Sequence, residues 1–177
     1  MLKINNREIG TEYKPYFIAE VSANHNGSIQ RAKNTIKAAH KSGADAVKIQ
    51  THTADTMTID SRMDHFLIKD GLWKGYSLYD LYKEAHTPFD WHEELFDYAS
   101  QLGITLFSSP FDESAIDLLE NLDAPAYKIA SFELVDIPLI KYAAKLNKPM
   151  LMSTGMATID EISEAVEAVK SQGNHQI

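Results

Sequence analysis

Cysteine is absent from the 177-residue sequence. Disulfide bonds, thiolate metal ligands and cysteine nucleophiles are therefore excluded for this chain, which fits the reducing cytoplasm. Apolar runs are also short, and none approaches the ~20 residues that a membrane-spanning helix needs. The first seven residues are too polar for a signal peptide. We expect a cytoplasmic protein that has no membrane partner.

Positive charge is scarce. The chain has 17 lysine and arginine residues against 25 aspartate and glutamate residues, and its formal net charge is −8. This balance argues against nucleic acid as a partner, because a polyanion requires a surplus of basic side chains. A local basic pocket for a small anion stays possible. With 44% apolar and 24% charged residues, the composition is that of one globular domain with its own core.

Several motifs that mark common enzyme classes are missing as well. The sequence has no GxGxxG and no GxxxxGKS/T, which argues against dinucleotide and P-loop nucleotide sites. It has no GxSxG of a serine hydrolase and no HExxH metal pair. Two histidines, His25 and His52, follow predicted strands and could approach a ligand. We expect the other five on the surface, namely His40, His65, His86, His92 and His175.

The sequence does contain a regular alternation of apolar strands and amphipathic helices. The predicted strands are residues 16–21, 44–50, 104–108, 126–130 and 149–153. Helices are predicted at 28–41, 78–85, 90–102 and 112–122 and from Asp136 and Thr158, with Asp90, Asp112, Asp136 and the pair Thr158 and Glu161 as caps. This order predicts a parallel sheet covered by helices. It fits five units of a TIM-type (β/α)8 barrel or an open doubly wound parallel sheet, and periodicity does not decide between them.

The connection formed by residues 51–88 is too long for an ordinary link between a strand and a helix. Its length favours a functional loop, within which residues 78–85 predict a short helix. The helix that follows carries an apolar stripe of Trp91, Leu95 and Phe96. We interpret that stripe as part of the core, because such spacing is typical of a buried helix face.

Polar side chains gather where the predicted strands end. In both architectures the carboxyl ends of parallel strands form the ligand-binding edge. The residues concerned are Glu20, Ser22, Asn24 and His25; Lys48 and Gln50; Ser108 and Ser109; Lys128, Ser131 and Glu133; and Ser153 and Thr154. Lys48 and Lys128 each lie within an apolar strand, where a lysine is unfavourable unless it meets an opposite charge. An anionic ligand held between the strand ends would supply that charge.

Each of these groups also has a purely structural interpretation. Glu20 could pair with a lysine, and either lysine could extend its ammonium group out of the sheet into solvent. The residues 108–110 and 153–155 are typical of turns. The convergence of five polar groups on one edge of the sheet favours a binding site over five unrelated explanations.

The same segments resemble the sialic acid synthase family. Five motifs occur in the family's order and spacing, namely Phe17–Gly27, Gly43–Gln50, Phe107–Phe111, Tyr127–Glu133 and Ser153–Met156. The stretch from Gly71 to Trp91 looks most like the pseudaminic acid synthase branch of the family. The resemblance covers nearly the whole chain.

The resemblance implies an enzyme that condenses phosphoenolpyruvate with an N-acetylated amino sugar. The products would be phosphate and a nonulosonic acid, for surface polysaccharide or flagellin glycan synthesis. The resemblance also assigns roles to residues: Lys48, Ser109, Lys128 and Ser131 would hold the phosphate and carboxylate of phosphoenolpyruvate. Glu20 would be the catalytic acid–base or charge-stabilising group, and Glu133 would face the sugar.

The family pattern extends beyond this sequence, with three more barrel units and an antifreeze-like domain. Residues 1–177 would then be the amino-terminal part of a barrel. The resemblance implies a homodimer and a divalent metal, manganese or magnesium, held by two histidines beyond Ile177. We therefore expect little or no turnover from residues 1–177 alone. The alternatives are an N-acetylneuraminate or legionaminic acid synthase, and a non-catalytic α/β domain that binds a phosphorylated metabolite.

Overall fold

A computed structural model describes residues 2–177, which form a parallel sheet of five strands and a small hairpin. The strands are β1 (Leu2–Ile4), β2 (Arg7–Ile9), β3 (Ile18–Glu20), β4 (Ala46–Thr51), β5 (Thr105–Pro110), β6 (Tyr127–Ile129) and β7 (Met150–Met152). The helices are α1 (Ile29–Lys41), α2 (Ala54–Met57), α3 (Leu78–Ala85), α4 (His92–Leu102), α5 (Glu113–Asn121), α6 (Ile137–Ala144) and α7 (Ile159–Lys170). No helix within residues 2–177 is long and apolar enough to cross a membrane.

The sheet is an incomplete barrel and not a doubly wound sheet. Its order is β3-β4-β5-β6-β7, so each strand pairs with the next one in the chain and the order never reverses. A doubly wound sheet reverses its strand order and carries helices on both faces. Here the helices pack on one face, which we call the outer face, where Val47, Ile49 and Ile129 are buried. The sheet curls into a half-barrel, which confirms the first of the two predicted architectures.

The strand bounds differ from the prediction at most ends. Strands β3, β6 and β7 have only three residues each, whereas β4 and β5 extend to Thr51 and Pro110. The central pair is long because β4 and β5 align six consecutive residues, from Ala46 opposite Thr105 to Thr51 opposite Pro110. Strand β3 lies at an edge of the sheet and, within residues 2–177, pairs with β4 alone. The prediction for residues 16–21 included Phe17, which is 63% exposed.

The hairpin of β1 and β2 was not predicted from the sequence. The two strands pair in antiparallel fashion, with Leu2 opposite Ile9 and Ile4 opposite Arg7. Ile4 is fully buried against Ala46, Phe107 and Ala126 on the inner face of the sheet, the face without helices. The hairpin therefore closes the amino-terminal end of this concave face.

Three of the four predicted helix caps are confirmed. Asp112 and Asp136 accept hydrogen bonds from the first turns of α5 and α6, and Thr158 forms a capping box with Glu161 at α7. The prediction for Asp90 is wrong: this residue lies in a 3-10 turn, Phe89–Trp91, and α4 begins at His92 without a side-chain cap. The turn that follows Pro88 runs directly into the helix, so no extended residue is left to act as a cap.

The long connection between β4 and α4 contains more secondary structure than a loop. It includes α2, a 3-10 turn at Asp64–Phe66, an isolated bridge between Leu67 and Ser77, and α3 with the predicted bounds. The apolar stripe of α4 is part of the core, as predicted: Leu95 is fully buried, and Trp91 and Phe96 pack against the same cluster. The connection thus forms a folded cap beside the carboxyl ends of the strands.

Candidate active site

Strand register brings the predicted site residues onto the inner face of the sheet. Glu20 lies opposite Lys48, and Gln50 lies opposite Ser109. Ser108 lies opposite Tyr127, which faces the core on the outer side of the sheet. Because side chains alternate along a strand, Ser109 and Lys128, which follow these two residues, face the inner side. These residues stand at the carboxyl ends of their strands, where parallel sheets bind ligands.

An ion pair links the first two strands of the site. The ammonium group of Lys48 pairs with the carboxylate of Glu20, and the two side chains are 15% and 44% exposed. Nζ of Lys48 also lies 3.5 Å from Oγ of Ser109, at the limit of a hydrogen bond. The backbone N–H of Ser22 donates to Oε1 of Glu20 at 3.2 Å, which fixes the other end of the carboxylate. Lys48 is therefore shared between an acid and a hydroxyl.

Lys128 has no carboxylate partner. Its Nζ donates to the backbone carbonyl of Ile129 at 2.7 Å, and no acidic side chain of residues 2–177 forms an ion pair with it. Burial and the nearby charge of Lys48 lower the pKa of Lys128 to about 8, although Glu20 and Glu133 act in the opposite direction. A half-buried ammonium group with uncompensated charge is a suitable place for an anion.

Ser131 and Glu133 follow β6. Ser131 directly precedes a 3-10 turn, Phe132–Val135, and Glu133 lies within it. Burial raises the pKa of the Glu133 carboxyl, and its Oε2 is buried without a hydrogen-bond partner among the described residues. Ser131 touches the loop after β7: a Cβ placed on Gly155 would lie 3.0 Å from Oγ of Ser131. The sequence of residues 153–155 is typical of a turn and gives no signal of this close approach.

The loop after β3 continues the polar rim. Ser22 has a left-handed backbone conformation, with φ of +48°, and its hydroxyl donates to Oε1 of Gln50 at 3.3 Å. At the opposite edge of the sheet, after β7, the backbone N–H of Ser153 donates to the backbone carbonyl of Ile129 at 3.0 Å. The five polar groups predicted from the sequence therefore lie along one edge, from β3 to β7.

Three histidines are buried beside this edge. His92 was predicted on the surface, which is wrong: it is fully buried and contacts Thr51 and Pro88. His25 is buried and contacts Thr87. Both lie on local segments that look polar in the sequence, and only the packing of α4 and the long connection against the sheet encloses them.

His52 was predicted to be able to approach a ligand, but it is enclosed by aromatic rings. Tyr82 and Phe111 pack edge-on against it, with ring centroids 5.9 and 5.3 Å away. Neither ring nitrogen has a hydrogen-bond partner among the described residues, and burial lowers the pKa of His52 to about 4. His52 is therefore a neutral side chain of the cap at neutral pH.

A divalent metal is implied by the family resemblance. Within residues 2–177, no group of three or more histidine, aspartate or glutamate side chains is arranged to hold a metal ion. The described residues alone therefore do not fit a metal.

The sequence is similar to those of several known proteins. A model of the NeuB family matches residues 35–177. The chain is 47% identical over 163 residues to the pseudaminic acid synthase of Helicobacter pylori, covering 92% of this chain and 48% of that protein. It is 48% identical over 164 residues to the pseudaminic acid synthase of Campylobacter jejuni serotype O:23/36, covering 93% of this chain and 48% of that protein. The chain thus spans about half the length of the relatives it matches.

A solved structure shares the fold. The spore coat polysaccharide biosynthesis protein SpsE of Bacillus subtilis superposes with a TM-score of 0.80 at 36% identity, covering 99% of this chain and 46% of that chain. The curled parallel sheet with helices on its outer face is therefore similar to that of a known experimental structure.

Proposed function

Because this chain belongs to the NeuB family, that of the sialic acid synthases, we propose that its full-length protein is a nonulosonic acid synthase of the pseudaminic acid type. In this proposal the enzyme condenses phosphoenolpyruvate with an N-acetylated amino sugar and releases phosphate. The identity of 47–48% to two pseudaminic acid synthases supports this choice of product. The relative from Legionella pneumophila, an N,N'-diacetyllegionaminic acid synthase, is 36% identical over 161 residues, so it gives less support to that alternative.

The observation that carries the proposal is the set of cationic and hydroxyl groups on one face. In the proposal, Lys48 and Lys128 bind the phosphate and carboxylate of phosphoenolpyruvate, and Ser109 and Ser131 orient them by hydrogen bonds. Two ammonium groups and two hydroxyls suit a small, densely charged anion. Two observations support this assignment. The ammonium group of Lys128 donates to a backbone carbonyl and not to a carboxylate among the described residues. Lys48 lies on the same face of the sheet, two strands away.

In the reaction, the enol carbon of phosphoenolpyruvate would attack the sugar aldehyde and form a carbon–carbon bond. Positive charge would develop at the carbon that carries the phosphate. The aldehyde oxygen would take up a proton and become a hydroxyl group. Water would add to the carbon that carries the phosphate and lose a proton, and Glu20 would stabilise the positive charge or accept that proton. The carbon–oxygen bond to phosphate would then break, so that the keto group forms and phosphate leaves. Glu133 would face the sugar, where its buried and unpaired Oε2 could accept a hydrogen bond.

We propose that residues 1–177 form one part of a larger protein. Residues 1–177 would supply the phosphoenolpyruvate half of the site as the first five units of a (β/α)8 barrel. The remaining units, an antifreeze-like domain, a manganese or magnesium ion, a homodimeric assembly, a cytoplasmic location and a role in surface or flagellin glycan synthesis come from the resemblance. The match to about half of each relative supports this division.

The test is turnover by the protein encoded by the complete reading frame. Phosphate release would be measured with phosphoenolpyruvate and a 2,4-diacetamido-trideoxy hexose, with N-acetylmannosamine as the second sugar. Release with the diacetamido sugar supports the proposal. Release with N-acetylmannosamine alone would favour an N-acetylneuraminate synthase, and no release with either sugar would reject synthase function.

A second candidate is a domain that binds a phosphorylated metabolite without converting it. It is favoured by one observation: the four residues proposed to bind the anion all lie within residues 2–177, namely Lys48, Ser109, Lys128 and Ser131. Binding of phosphoenolpyruvate to this chain, together with absence of turnover by the complete protein, would support this candidate.

A further inference from the structure

A buried hydrogen-bond network lies on the outer face of the sheet, directly behind the anion site, by which we mean Lys48, Ser109, Lys128 and Ser131. It consists of Thr51 at the end of β4, Ser108 on β5 and His92 at the start of α4, all of them fully buried. Oγ1 of Thr51 lies 2.8 Å from Nε2 of His92 and 2.6 Å from Oγ of Ser108. The other ring nitrogen of His92 lies 3.0 Å from the backbone carbonyl of Pro88.

The chemistry of the partners fixes the direction of these bonds. The carbonyl of Pro88 can only accept, so Nδ1 of His92 carries the proton and Nε2 is an acceptor. The hydroxyl of Thr51 therefore donates to Nε2. The single hydroxyl proton of Ser108 faces two acceptors, Oγ1 of Thr51 at 2.6 Å and the backbone carbonyl of Ile49 at 3.1 Å. Burial lowers the pKa of His92, which agrees with a neutral ring at neutral pH. The network is thus a directed chain from the sheet to the segment before α4.

The network adds a side-chain link at the end of the pairing between β4 and β5. Thr51 is the last residue of β4 and lies opposite Pro110, the last residue of β5. The side-chain bond between Thr51 and Ser108 joins β4 and β5 at the same end of the sheet. Gln50 and Ser109 lie one residue earlier on each strand, and their side chains point to the opposite, inner face.

A second buried histidine holds the same segment from the other side. Nδ1 of His25 accepts from the backbone N–H of Gly27 at 3.2 Å, so Nε2 carries the proton and donates to Oγ1 of Thr87 at 3.3 Å. His25 follows β3, near Glu20. The neighbouring residues Thr87 and Pro88 are therefore held by two neutral histidines in opposite tautomers, which ties the ends of β3, β4 and β5 to one segment.

We propose that Thr51, Ser108 and His92 are positioning residues for the anion site. They would maintain the distance between Nζ of Lys48 and Oγ of Ser109 that anion binding requires. This inference rests on the proposed binding of phosphoenolpyruvate at the inner face. The three residues touch no ligand: they act through the register of β4 and β5 and the direction in which Ser109 points.

The test is a double-mutant cycle on phosphoenolpyruvate affinity, measured by calorimetry on the protein encoded by the complete reading frame. Thr51→Val keeps the shape of the side chain and removes the hydroxyl. We expect it to weaken binding by about fivefold, the equivalent of one hydrogen bond. In a Ser109→Ala background the same change should weaken binding less than twofold, because its effect passes through Ser109. Equal weakening in both backgrounds would overturn the proposal.

Two controls separate positioning from a general loss of stability. Thr51→Ser retains the hydroxyl and should restore affinity to within twofold of the wild type. Tyr127→Phe removes a buried hydroxyl that donates to Glu120 at 2.7 Å on the same outer face, next to Lys128 in the chain. It should reduce stability without changing the affinity, and a loss of affinity equal to that of Thr51→Val would count against the proposal.

Nuclear magnetic resonance tests the hydrogen-bond network without a ligand, through the histidine tautomers and the amide signals of the site residues. Nitrogen-15 spectra should show His92 with a protonated Nδ1 and a bare Nε2, and His25 with the opposite tautomer. Thr51→Val should shift the amide signals of Lys48 and Ser109, and Thr51→Ser should not. Absence of phosphoenolpyruvate binding to the wild type would count against the proposed function, whereas unshifted Lys48 and Ser109 signals in Thr51→Val would overturn the positioning role.

Discussion

Lys48 and Lys128 lie on the same face of the sheet, two strands apart, and among the described residues a carboxylate pairs with Lys48 but not with Lys128. The two lysines therefore differ in what an arriving anion must displace. At Lys48 the anion competes with Glu20 for the ammonium group. At Lys128 it meets a charge that is bound only to a backbone carbonyl.

The first prediction concerns the titration of Lys128. Burial and Lys48 lower its pKa to about 8. We expect a midpoint near this value when the side-chain nitrogen is followed by nuclear magnetic resonance, and a higher midpoint in Lys48→Met because one repelling charge is gone. Addition of phosphoenolpyruvate should also raise the midpoint. A wild-type midpoint at the ordinary lysine value would contradict the prediction.

The same shift has a consequence for stability, whose sign follows from proton binding. Between pH 8 and the ordinary value of 10.5, the unfolded chain holds more protons at this lysine than the folded chain. The contribution of Lys128 to the free energy of unfolding should therefore rise with pH over this range. Urea unfolding at pH 7.5 and pH 10 should show a larger increase for the wild type than for Lys128→Met, and equal increases would argue against it.

The second prediction separates binding from chemistry at Glu20. Glu20→Gln removes a negative charge beside Lys48 and frees its ammonium group for a ligand. We expect phosphoenolpyruvate to bind about two- to tenfold more tightly, whereas turnover by the complete protein should fall about 100-fold or more. Lys48→Met should weaken binding and serves as the opposite control. Weaker binding in Glu20→Gln would show that Glu20 helps to hold the ligand.

The third prediction concerns the close approach of Gly155 to Ser131. Gly155→Ala would place a methyl group 3.0 Å from Oγ and 3.4 Å from Cβ of Ser131, which forces the hydroxyl to shift. We expect affinity for phosphoenolpyruvate to fall about fivefold, as for one misaligned hydrogen bond. In a Ser131→Ala background, Gly155→Ala should have little further effect. Additive losses in calorimetry would show that Gly155 acts elsewhere.

The fourth prediction concerns acid stability. Burial lowers the pKa of His52 to about 4 from an ordinary value of 6.5, so the unfolded chain takes up its proton first as the pH falls. The wild type should lose stability between pH 6.5 and pH 4. His52→Phe removes two unpaired ring nitrogens from an aromatic site and should flatten this part of the profile. The exposed His175 is a matched control, because His175→Phe should leave the loss unchanged.

Local patterns predicted much of this fold. The order of strands and helices follows from periodicity, and the caps at Asp112, Asp136 and Thr158 follow from short-range hydrogen bonds. Strand ends could be predicted to converge because parallel strands share one direction. The placement of Glu20 opposite Lys48 required only that rule and the alternation of side chains.

Features that depend on distant contacts could not be predicted. The residues that bury Ile4 include Phe107 and Ala126, far away in the chain, so the hairpin it belongs to looks like a polar terminus in the sequence. His92 was assigned to the surface because its burial depends on Thr51 and Pro88, which the sequence does not place beside it. The contact between Gly155 and Ser131 joins two loops whose relative height is set by the whole sheet.

The hairpin under the sheet gives the concave face a floor. Ile4 seals the end that is opposite to Lys48 and Lys128, together with Phe107 and the alanines at positions 46 and 126. A molecule bound at the lysines has no exit through that end. In the proposed complete barrel, reactants and products would both pass the carboxyl ends of the strands, beside the two lysines.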